Sequence, residues 1–74
     1  MNDETVREID FSVFVLHHLA RAWNMPVPDT YSALNEAGII EGYLVPCYDV
    51  LHTLGSEYLV EDLTDLARER GVRL

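Results

Sequence analysis

Apolar residues recur through the first third of the chain at the spacing of a helix. Val6, Ile9, Val13, Leu16, Ala20 and Trp23 follow one another three or four positions apart and form one stripe. Phe11, Val15, Leu19 and Ala22 form a second stripe beside it. Together they span an apolar arc of roughly 200°, about twice the ~100° that a surface helix needs. Only a narrow strip carrying Arg7, Asp10, His17 and Arg21 is polar, and Phe14 sits within it. Two readings of this helix follow. Either it is central, with the rest of the chain wrapped round it, or part of the arc is left for a second chain.

Pro26 and Pro28 then break the pattern, because proline disfavours helix at the residue before it. A second helix is expected over Pro28 to Ala37, with Tyr31, Leu34 and Ala37 inward and Gly38 closing it. Ile39 and Ile40 pin the linker to the core. A third helix is expected from about Tyr43, the start that places Pro46 in the first turn, where proline is tolerated. It runs to Leu54, buries Leu44, Cys47, Tyr48, Leu51 and Leu54, and ends at Gly55, with Ser56 and Glu57 making a corner. A last helix is expected from about Val60 to Arg70. Its acids Glu61, Asp62 and Asp65 come early and its bases Arg68 and Arg70 late, as the helix dipole favours. Leu59, Leu63, Leu66 and Ala67 face inward; Gly71 stops the helix, and Val72 and Leu74 form a short tail. Residues 1–5 are polar and read as a frayed start. The fold class is therefore all-α, a compact bundle of about four short helices in one domain over residues 1–74.

Composition sharpens this picture. A chain of 74 residues buries only about 60% of the surface its unfolded form exposes, so its core needs a supplement. Cys47 is the only cysteine and excludes an internal disulfide, which leaves self-association or a protein partner as the supplement. The net charge is −8, from thirteen acids against five arginines and no lysine. That balance repels phosphate backbones and anionic membranes and suits a basic partner. The start is acidic, unlike a signal peptide, and no apolar run approaches the ~18 residues of a membrane span. The expected location is the cytoplasm.

The candidates for chemistry are weak. His17 and His18 are adjacent and point about 100° apart on a helix. His52 follows Cys47 by five residues, which is not the spacing of one helical face. Asp49 and His52 can meet, but a zinc site needs three or four converging ligands. Cys47 lies on an apolar face among acids, where a thiol is inert. His52 reads as a partly buried imidazole bonded to backbone or to the Ser56 corner. The carboxylates of the last helix face outward, and the glycines stand singly at turns rather than in a phosphate loop. A helix-turn-helix reading fails on charge, because the third helix has no Arg or Lys. No metal, no cofactor and no enzymatic activity are expected. The residues suited to a protein contact are Phe14, Trp23, Tyr43 and Tyr58, with Glu61 and Asp62 at a rim. Burial in the core is the competing reading for the aromatics.

The stretch CYDVLHTLGSEYLVEDL carries a family resemblance. It is similar to a small bacterial family of unknown function with a Tyr-x-x-Leu-His-Thr-x-Gly string followed by an acidic Tyr-Leu-Val-Glu-Asp-like segment. The matching positions are Tyr48, Asp49, Leu51, His52, Thr53, Gly55, Tyr58, Val60, Glu61 and Asp62, with a looser likeness at Phe11 to Phe14. Pro46 departs from the pattern, as does a longer linker at Glu41-Gly42. The resemblance implies a compact helical protein with no catalytic motif, in which Leu51 packs, Gly55 turns, and His52 and Thr53 satisfy a helix end. It also implies a neighbour or fusion partner resembling ADP-ribosyltransferases, in an arrangement like a toxin–antitoxin pair. The expected function is a non-catalytic acidic protein-interaction module, antitoxin-like or accessory. The alternative is a homo-oligomeric structural domain.

Overall fold

The computed structural model describes residues 3–74, except for the side chain of Glu4. The chain forms α1 (Asp3–Trp23), α2 (Val27–Glu36), a π-helical turn (Ile40–Leu44), α3 (Tyr48–Leu51) and α4 (Ser56–Glu69). Among the described residues there is no strand, so the fold is the all-α bundle expected. Asp3 to Thr5 belong to α1, and the frayed start expected at residues 1 and 2 lies outside the described residues.

The helix ends follow from local chemistry. Asn24 adopts a left-handed conformation with φ 54°, which asparagine tolerates better than most residues. The Asn24 N–H donates to the Arg21 carbonyl (3.3 Å) and the Met25 N–H to the Ala20 carbonyl (3.0 Å). That pair of bonds is a Schellman closure, and it satisfies carbonyls the helix would otherwise leave open. Gly71 closes α4 the same way, at φ 88°, with Gly71 N–H on Arg68 (3.1 Å) and Val72 N–H on Ala67 (2.9 Å).

The expected third helix is not continuous. Pro46 has no N–H, so it cannot extend the ladder. Before it the chain loosens into the π turn, with the Val45 N–H on the Ile40 carbonyl at 3.0 Å. After it α3 lasts only four residues. The last helix starts four residues earlier than expected. Gly55 is extended (φ −69°, ψ 154°) and precedes the first turn, so Ser56 and Glu57 are helical and not a corner. Gly55 thus opens α4 and does not close α3.

The core is built from Val15, Leu16, Leu19, Leu34, Ile39, Leu44, Leu51, Leu59, Leu63 and Ala67. Helix α1 packs against both α4 and α2, so its C-terminal half is the centre of the bundle. On α2 the inward positions are Thr30 and Leu34; Tyr31, expected inside, is exposed. The buried Thr30 hydroxyl is satisfied by donating to the Pro26 carbonyl (3.1 Å), which is how a polar group is kept in a core.

The first stripe of α1 divides in two. Leu16 is 8% exposed and Ala20 5%, yet Val6, Ile9 and Val13, expected in the core, are 43%, 47% and 46% exposed. Length explains this. Helix α1 has 21 residues and α2 has ten, about 31 Å against about 15 Å at 1.5 Å per residue. Helix α2 is therefore long enough to cover at most about half of α1. The C-terminal half of α1 is central, and the N-terminal half leaves part of the apolar arc exposed.

Two substitutions test this packing by urea unfolding. Leu63→Ala, at a site with no exposure, should cost about 2–5 kcal/mol, a large part of the stability of so small a domain. Asn24→Ala should cost about 1 kcal/mol, the penalty of a left-handed residue with a Cβ, whereas Asn24→Gly should stay within ~0.5 kcal/mol of the parent.

Candidate functional site

Helix α4 is amphipathic, with Leu59, Leu63 and Ala67 buried. At 100° per residue, Tyr58, Glu61, Asp62 and Asp65 fall together on the opposite side. The structure brings them round one shallow surface cleft. Tyr58 is 57% exposed; Glu61 and Asp65 are exposed and Asp62 is half-buried. A second cleft adjoins it, lined by Tyr43, Asp62, Asp65, Leu66, Glu69 and Arg70. Asp62 and Asp65 belong to both.

Tyr43 is fixed to this face. It comes from the π turn, packs against the core, and its phenol donates to Asp62 Oδ2 at 2.7 Å. That bond to a carboxylate, together with burial and the nearby negative charge, pushes the phenol up to about 12 from its ordinary value of 10.0. Tyr43 therefore ties the π turn to α4 and orients the carboxylate that the two clefts share.

Phe14 and Trp23 lie elsewhere. Phe14 is half-exposed on α1 and packs on His18, with ring centroids 4.4 Å apart. Trp23 packs against the core, and its indole Nε1–H donates to Thr64 Oγ1 at 2.9 Å. Thr64 in turn donates to the Val60 carbonyl. Thr64 follows Asp62 by two residues, about 200° round the helix, so Trp23 anchors the opposite flank of α4. The six residues read from the sequence as contact candidates thus form one group of four, Tyr43, Tyr58, Glu61 and Asp62, and two outliers. Asp65 belongs with the four. Its spacing of seven from Tyr58 and three from Asp62 is the signal that places it there.

His52 is exposed, not partly buried. Its Nδ1–H donates to the Tyr48 carbonyl at 2.7 Å, and its ring stacks on Tyr48 with centroids 4.6 Å apart. Tyr48 meets Phe11 edge-on at 5.5 Å, so the family-like string docks α3 on one flank of α1. Cys47 is half-buried in the turn before α3. Among the described residues no three His, Cys, Asp or Glu side chains are placed to hold a metal ion, and no helix is long and apolar enough to cross a membrane.

A helical bundle of this size, carrying a tyrosine-bearing acidic face, defines a small all-α domain. The chain belongs to the DUF3791 family, proteins of unknown function, whose model matches residues 10–70. It has no match among the curated proteins or the solved structures.

The Tyr43–Asp62 bond makes a pH prediction with a definite sign. The folded state favours the neutral phenol, so the bond's contribution is complete below about pH 10 and is lost as pH rises towards about 12. Absorbance titration should show a late phenolate step near pH 12 that Tyr43→Phe removes. The same substitution should cost about 1–2 kcal/mol in urea at neutral pH. That is the value of a hydrogen bond to an ionised acceptor, discounted because the pair is partly solvated.

Proposed function

We propose that this chain is a non-catalytic acidic protein-interaction module that binds an ADP-ribosyltransferase-like partner, acting as an antitoxin or accessory protein. The observation that carries this reading is Tyr58. It is a large aromatic side chain 57% exposed, and carboxylates that share its cleft surround it. An aromatic anchor inside a charged rim is the composition of a protein-binding patch. Tyr43 adds a pre-oriented carboxylate, so little side-chain entropy is lost when Asp62 meets a basic group. The net charge of −8 steers a basic surface towards this face and speeds encounter. Phe14, half-exposed on α1, is a secondary contact. Trp23 serves the module by holding α1 to α4. The partner's chemistry comes from the resemblance of the Tyr48–Asp62 string, and the antitoxin role from the same source.

The test is co-expression with the product of the neighbouring gene, followed by capture at low salt. Recovery of a complex supports the reading, and recovery of neither protein with the other sinks it. Within the complex, Tyr58→Ala should weaken binding at least tenfold, about 1.4 kcal/mol. Glu61→Gln should act mainly on the association rate, with an effect that fades as salt is raised.

A further inference from the structure

We draw no further inference here: the strongest candidate, the exposed apolar stripe of Val6, Ile9 and Val13 on the N-terminal half of α1, is an unpartnered helix face, and nothing in the structure shows what covers it.

Discussion

A helix of 21 residues extends over about 31 Å, and three shorter elements must share the covering of it. Burial of α1 is the constraint on which the rest of this domain depends. Leu19 has no exposure, and α1 packs against both α2 and α4. Helix α4 is held at that level by the Trp23–Thr64 hydrogen bond, and the linker after α2 is pinned by Ile39. Arg70 reaches back from the end of α4 and donates to the Ala37 carbonyl at 2.9 Å, which closes α2 with a cation where its dipole is negative. None of these contacts reaches the first three turns of α1.

The second half of the chain follows from one proline. Because Pro46 ends the ladder, the stretch from Ile40 to Leu51 becomes a π turn and a four-residue helix instead of one long helix. That shortens what can lie along α1, and it also swings Tyr43 against α4, where its phenol meets Asp62. The domain has too few long helices to cover all of α1.

Much of the fold was legible in the sequence. The helical class, the ends at Trp23, Gly38 and Gly71, and the inward faces of Leu34, Leu51, Leu59, Leu63 and Ala67 follow from spacing and end chemistry alone. What was not legible depends on length and on the third dimension. Periodicity puts Val6, Ile9 and Val13 on the same stripe as Leu16, but it does not say how far along α1 the shorter helices reach. Tyr31 and Thr30 differ by 100° on a short helix, and hydrophobicity favours the tyrosine; the threonine wins because its hydroxyl finds the Pro26 carbonyl. At the α4 face the individual residues were readable, and Asp65 belonged to the same helical row. Their union with Tyr43, and the separation of Trp23 to the other flank, required the path of the chain round Pro46.

Hydrogen exchange along α1 in the isolated chain tests the division of this helix most directly, because opening free energies report which segments belong to the cooperative core. Amides from Leu16 to Trp23 should exchange only through global unfolding, and those from Arg7 to Val13 at least a hundredfold faster. Equal protection over the whole helix in a chain shown to be monomeric would contradict the account, since the first turns would then be held by contacts that this structure does not contain.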